Sequence, residues 1–319
     1  MKLKMVTVLL LTCAFAFGQD YKSAVAQADK LYNNKQYKEA VSKYKEAFKI
    51  EQTNAGDLYN AACSAALLGD KKRAFDWLHL AFKNGWTNIN HLQTDTDLTA
   101  LHHNKKWNKL LAEMQKEVNR IEANYDKPLQ ATLLAIFEED QGIRRQFIAA
   151  QKEFGYESKQ VDSLGKIMIY KDSINYIKVS EILDKYGWVG VDKVGGQANH
   201  TLFLVIQHAD LKTQQKYLPM MREAVKHKNA TGSALALLED RVALGEGKRQ
   251  IYGSQIGRNK ETQKYYILPL DDPDNVDKRR AVVGLGLLAD YVKRWDINWN
   301  VEEYKKLLPE IEAKQERQE

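Results

Sequence analysis

Lys35-Gln36-Tyr37-Lys38-Glu39-Ala40-Val41-Ser42-Lys43-Tyr44-Lys45-Glu46-Ala47 decides the first half of the fold, because its pattern returns 34 residues later. Ala40 falls on Ala74, Tyr44 on Leu78 and Ala47 on Ala81, while Lys35-Gln36-Tyr37 falls on Gly69-Asp70-Lys71. A period of this length is the sign of stacked helix pairs, each burying its apolar face against the next. Small residues (Ala40, Ala47, Ala74, Ala81) alternate with large ones (Leu31, Tyr32, Tyr37, Tyr44, Phe48; Leu67, Leu68, Phe75, Trp77, Leu78). The small positions let helices approach, and the large ones fill the gaps.

Ala28-Asp29-Lys30-Leu31-Tyr32 through Ala40, and Leu58-Tyr59-Asn60-Ala61-Ala62 through Ala74-Phe75-Asp76-Trp77-Leu78, resemble the tetratricopeptide-repeat family. A degenerate third copy begins at Gly85-Trp86 and continues through Asp95 to Leu101 and Trp107 to Leu111. About three repeats make a self-sufficient stack, so the third unit or the following domain is expected to cap it. The resemblance implies an interaction module for a protein or peptide partner, set against packing of the array on its own neighbour.

Upstream, Lys2 and Lys4 precede an apolar stretch from Met5 to Phe17, with small residues at Ala16 and Gly18. This reads as a cleavable signal over residues 1–18, too short to span a bilayer, and predicts an exported protein, periplasmic or extracellular. Lipoprotein processing at Cys13 is disfavoured, because Thr12 precedes the cysteine and the apolar run continues past it. Cleavage leaves Cys63 alone in Asn60-Ala61-Ala62-Cys63-Ser64-Ala65-Ala66, where a buried inert thiol is expected.

The 319 residues suit two domains. The formal charge of +6, two lower without Lys2 and Lys4, is spread over both signs with no basic block. That argues against a nucleic-acid partner. A mean hydropathy of −0.54 and the lack of a second long apolar run argue against an integral membrane segment after signal removal.

Downstream, Asn124-Tyr125-Asp126-Lys127-Pro128 is a turn, giving helical repeats over 19–126, an α+β domain over 127–295 and a charged tail over 296–319 whose last residues are expected to fray. Expected helices run over 129–152, 158–185, 199–208, 211–227, 233–244 and 276–294, the last enclosing Gly284-Leu285-Gly286 and burying Val283, Leu287, Leu288 and Tyr291. Asp140 with Arg144 and Gln141 with Arg145 lie four apart and are expected to pair along one surface. Residues 249–256 and 263–270 are expected to form a hairpin, with Gly253 leaving room beside Gln255 for a close approach. The fold class is therefore mainly α: a short helical-hairpin stack followed by a mostly helical α+β domain with one β-hairpin.

Glu139-Asp140-Gln141 with Arg145, Tyr186-Gly187-Trp188, Val205 to Asp210, Leu238-Glu239-Asp240-Arg241-Val242, Tyr252-Gly253-Ser254-Gln255 and Asp277 to Leu285 resemble, in that order, an uncharacterised bacterial domain-of-unknown-function family, number 6624. The resemblance covers roughly residues 128–293 and implies domain identity without a reaction. Val189 stands where relatives often carry proline.

Polar residues in this region lack an obvious local partner, so Trp188, His208, Asp210, Asp240, Arg241, Tyr252 and Gln255 are candidate ligand-binding residues. A catalytic reading makes His208 the acid or base near neutral pH, with Asp240 orienting it and Arg241 holding an anion. Asp240 and Arg241 point about 100° apart on a helix, which opposes a shared role. The bland reading makes His208 a helix C-cap, Asp240 and Arg241 ties between neighbouring elements, and Gln255 a backbone tie across the hairpin. Ser254 lacks a nucleophile elbow. Adjacent His102-His103, and His200 with His208 lacking a further ligand motif, oppose a metal site, and Asp271 to Asp277 lacks the glycine and glutamate of a calcium loop. No cofactor or metal is expected. The leading expectation is an exported interaction or scaffold module whose C-terminal domain binds a ligand; the alternative is an envelope hydrolase using His208.

Overall fold

The structure, a computed structural model, describes residues 20–259 and 262–315. The expected signal, with Cys13, lies outside the described residues. The chain is mainly α with one antiparallel hairpin, and divides into two compact units between Ala123 and Asn124. Among the described residues no helix is long and apolar enough to cross a membrane.

The first unit is a stack of helical hairpins. Helix α1 (20–33) precedes α2 (Tyr37–Ile50), followed by α3 (Ala55–Leu68) and α4 (Lys71–Lys83). Ala40, Ala47, Ala61, Ala62, Ala65, Ala74 and Ala81 are all buried, so the helices approach closely while Tyr44, Phe48, Phe75 and Trp77 fill the space between them. Gly69 adopts a left-handed conformation (φ 88°) past α3, and Asp70 N–H returns to Ala65 O, which turns the chain into α4. The degenerate third copy becomes a short α5 (Ile89–Thr94), a 3-10 turn (Thr96–Leu101) and α6 (Lys105–Glu122). Leu92, Leu98, Leu101, Trp107, Leu110 and Met114 close the core from within the unit.

Tyrosine–aspartate bonds tie these helices. Tyr21 donates to Asp57 at 2.7 Å, Tyr59 to Asp95 at 2.6 Å, Tyr44 to Asp29 and Tyr32 to Asp97. Cys63, Asp95 and Asp97 approach one another within 4.8 Å, but both carboxylates already accept from tyrosines and burial pushes the thiol up. The group reads as a hydrogen-bond network.

The second unit begins with the 28-residue helices α7 (Lys127–Phe154) and α8 (Lys159–Tyr186), started by the capping side chains of Asp126 and Ser158. Short α9 (Val191–Val194) leads to α10 (Gly196–Ile206), α11 (Leu211–Lys226) and α12 (Gly232–Gly245). Leu133, Ile136, Val179, Leu202, Phe203, Tyr217, Met221 and Leu238 form their shared core.

The expected long hairpin is corrected: β1 (Ile256–Arg258) and β2 (Tyr265–Ile267) pair Ile256 with Ile267, and residues 250–255 form a loop. The helix expected over 276–294 is also broken, into α13 (Val276–Val282) and α14 (Leu288–Val292). Gly284 at φ 81° ends α13, and Leu288 N–H is taken by the Asp277 carboxylate at 2.7 Å. Leu288 is buried, Val283 and Tyr291 are half-buried, and Leu287 is exposed. The charged tail contains α15 (Val301–Gln315), anchored by buried Tyr304, Leu308 and Ile311, and its last residues, 316–319, lie outside the described residues.

Candidate functional site

Helix α12 carries Asp240 fully buried in its second half. Its Oδ1 accepts the N–H groups of Ile251 (2.6 Å) and Tyr252 (2.9 Å), and its Oδ2 that of Ser254 (2.9 Å). Burial pushes this carboxyl up, and the three amides pull it back.

The carbonyls of the same loop are claimed from another element. From α13, Arg279 donates to Ile251 O (2.9 Å) and Arg280 to Tyr252 O (2.7 Å); from α14, Tyr291 donates to Ser254 O (2.8 Å). Gln250, fully buried, donates to Gln255 O and Leu268 O and accepts from Gln255 N–H. The amides of Ile251, Tyr252 and Ser254 are drawn to a carboxylate and their carbonyls to Arg279, Arg280 and Tyr291, so this stretch is lost to a sheet ladder. Only its ends, Gln250 and Gln255, keep backbone bonds to residues 268–271. Gly253 adopts φ 69°, and a Cβ there would stand 3.0 Å from Leu288 Cδ1, so a side chain of this fold fills the space expected to be open beside Gln255.

Arg241, one residue past Asp240, points elsewhere. Its guanidinium lies within electrostatic reach of Arg144 on α7, Tyr291 on α14 and His208 beyond the end of α10. Its Nε is buried without an acceptor, and among the described residues it has no hydrogen bond or carboxylate partner. Burial pushes its pKa down.

His208 borders a cavity of about 260 Å³ with Ile169, Asp172, Ser173, Tyr176, Asp210 and Thr213. Its ring makes no hydrogen bond to a described residue; Gln207 takes the C-cap position expected of it. Burial, then the charges of Arg144 and Arg241, push His208 down to about 3. This moves the imidazole away from the near-neutral range in which an acid or base at pH 7 would work.

The nearby carboxylates are engaged except at one oxygen, Asp140 Oδ1, which is buried without a hydrogen-bond partner. Arg144 Nη2 reaches both oxygens of Asp172 at 2.9 and 3.0 Å. Asp210 caps α11, accepting Thr213 N–H at 2.8 Å. Asp140, expected on a surface, is buried: Gln141 donates to its Oδ2 at 2.6 Å, and Arg144 Nη1 stands 3.0 Å from its Oδ1 while directing its proton to Asp140 O. Arg145 pairs with Glu138, not with Gln141 as the four-residue spacing suggested. Asn175 on α8 is fully buried with both amide atoms unpartnered.

Trp188 belongs to the other end of α10, in an apolar cavity of about 250 Å³ with Val191, His200, Phe203 and Met221. Its Nε1 is buried without an acceptor. The spacing from His200 to His208 corresponds to roughly 12 Å of helix, so Trp188 and His208 serve different places. Tyr252 O–H reaches Glu239 at 3.3 Å and Gln255 Nε2 reaches Ser254 Oγ at 2.8 Å.

The candidates thus fall into three groups: His208 with Asp210 at one cavity and Arg241 within electrostatic reach, Asp240 bonded to the backbone of Tyr252 in the loop that also carries Gln255, and Trp188 alone. Sequence reasoning missed Gln250, Asn175, Arg279, Arg280 and the inward role of Arg144. The Arg279-Arg280 pair was visible, but nothing local said that it would turn onto backbone carbonyls 28 residues back.

The profile of a family described as "Family of unknown function (DUF6624)" matches residues 127–302. No curated protein and no solved structure matches the chain.

Proposed function

The chain belongs to this family of unknown function through residues 127–302, and on that footing we propose that it is an exported interaction or scaffold protein. The tetratricopeptide-like stack, α1 to α6, holds a protein or peptide partner, and the C-terminal unit binds a small ligand without transforming it. One observation carries the preference for binding over chemistry: Asp240, the carboxylate that would orient His208, is spent on three backbone amides. A general base needs a poised pKa and an orienting partner; His208, pushed down to about 3, has neither.

The test uses the full chain in envelope extract, with a photo-crosslinking residue placed singly at exposed stack positions Lys38, Lys45 and Lys72, or at exposed Lys166 and Lys212 in the second unit. Adducts to one common protein from the stack positions alone are the expected outcome. Adducts confined to the second-unit positions would overturn the assignment.

A further inference from the structure

Helix α8 carries apolar residues on two faces, where a surface helix needs one. Val179, Ile182 and Leu183 enter the core of the second unit. The opposite side holds Tyr170, 67% exposed, and Ile177, 52% exposed, with Ile169, 69% exposed, at their edge. Tyr170 and Ile177 belong to a stripe of Lys166, Tyr170, Ser173, Ile177 and Glu181, spaced by three or four residues and exposed throughout. Apolar residues scattered singly on a surface need no cover; several on one helix face mark a contact surface.

The charges along this stripe complement their own reverse order. An antiparallel copy, related by a two-fold axis between Ser173 and Ile174, sets Tyr170 against Ile177, Lys166 against Glu181 and Asp162 against Lys185. Each pair then occurs twice, as an isologous contact requires. Ser163 faces Asp184, which Lys216 and Tyr217 already hold, so no like charges meet along the stripe. A register one turn away loses this in either direction: one opposes Asp162 to Glu181, the other Lys166 to Lys185, and Tyr170 no longer meets Ile177. Within the chain Lys166 donates to Asp162 at 2.8 Å, whereas Glu181 has no ionic partner among the described residues.

We propose that the exposed face of α8 is a homodimer contact, on which a second copy of this chain lays its own α8 antiparallel in this register. Tyr170 and Ile177 form its apolar centre, and the Lys166–Glu181 pairs close both ends. These pairs stand about 11 Å from the axis along the helix, and at a crossing of about 20° their long side chains still meet. A contact one helix wide belongs to the small, reversible class of interfaces, below about 1,200 Å². The charges therefore set orientation and register more than strength.

The test is sedimentation velocity of the full chain over about a hundredfold range of concentration. A dimer that grows with concentration is expected. Lys166→Glu and Glu181→Lys each set like charges opposite one another and are expected to weaken the dimer at least about tenfold. The double variant restores opposite charges and is expected to recover the parent affinity to within about threefold, a recovery that a misfolded chain would not show. Ile177→Glu is expected to abolish the dimer. A photo-crosslinking residue at Lys166 is expected to join two copies of the chain, an adduct whose mass separates it from any protein held by the stack. A chain that stays monomeric throughout, a dimer that the single reversals leave unchanged, or a double variant that does not recover overturns the contact. Crosslinking from Lys166 to a different protein alone would give this face to a foreign partner and overturn it equally.

Discussion

Asp240 and Arg241 are neighbours on α12 and serve opposite sides of it: the carboxylate accepts Ile251, Tyr252 and Ser254 amides, while the guanidinium lies within reach of Arg144 and His208. Successive helical residues diverge by about 100°, so Asp240 holds the 251–254 loop while Arg241 is turned towards other elements.

Removing the carboxylate leaves three amides without an acceptor in a dry interior. Asp240→Ala is expected to cost on the order of 3 kcal/mol in urea unfolding, and Asp240→Asn, which keeps one acceptor oxygen, less. A loss below about 0.5 kcal/mol for the alanine variant would show that the loop does not depend on this residue.

The His208 imidazole falls from an ordinary 6.5 to about 3 on folding. Below pH 6.5 the unfolded chain takes up a proton that the folded chain refuses. Stability present above that pH is therefore lost as the pH falls, by up to about 1.4 kcal/mol per pH unit until both states are protonated. His208→Gln is expected to cost less than about 1 kcal/mol at pH 7, where no hydrogen bond is lost, and to be more stable than the parent at pH 4.5. Parallel stability–pH curves for the two proteins would refute this.

Asn199 holds the turn before α9 by donating to Val189 O (2.6 Å) and Asn229 O (2.7 Å). Asn199→Ala is expected to lower stability by about 1 to 3 kcal/mol, because two carbonyls lose their donor. Equal denaturant midpoints for variant and parent would assign the turn to other contacts, with Gly190 the next candidate: a Cβ there would lie 2.5 Å from Asn229 Oδ1.

Cys63 is 3% exposed, and burial raises its thiol above the ordinary value. Iodoacetamide at pH 8 is expected to label it only on unfolding, so labelling should follow the denaturation curve of the first unit. Rapid labelling of the native chain would mean a reactive thiol.

The helical framework was legible because its signals are local. The 34-residue period, the Asp126-Lys127-Pro128 start of α7, the Ser158 cap and the glycine after Tyr186 each act over one or two turns. The loop 250–255 was not legible: alternation from Ile251 to Ile256 suits a strand, and the competing partners come from Asp240, Arg279, Arg280 and Tyr291, all outside the local window. Gly284 was expected inside one helix because helical apolar spacing continues on both sides of it. Its positive φ becomes decisive only once Asp277 caps the second segment. Of the candidate site, His208 and Arg241 were chosen as unmatched polar residues, a property the fold retains for both side chains. The divergence of Asp240 from Arg241 also followed from helix geometry. The burial of Asp140 did not, since Arg144 four residues on made a surface pair the simpler reading.

The most direct test of binding without acid–base catalysis is the titration of His208 in the full chain, followed by the ¹H–¹³C signal of its Cε1 from pH 3 to pH 8 in chloride and assigned with His208→Gln. The account predicts a neutral ring throughout, with a midpoint far below the ordinary 6.5 and near 3. A midpoint close to 6.5 would contradict it and return His208 to the role of a general acid or base.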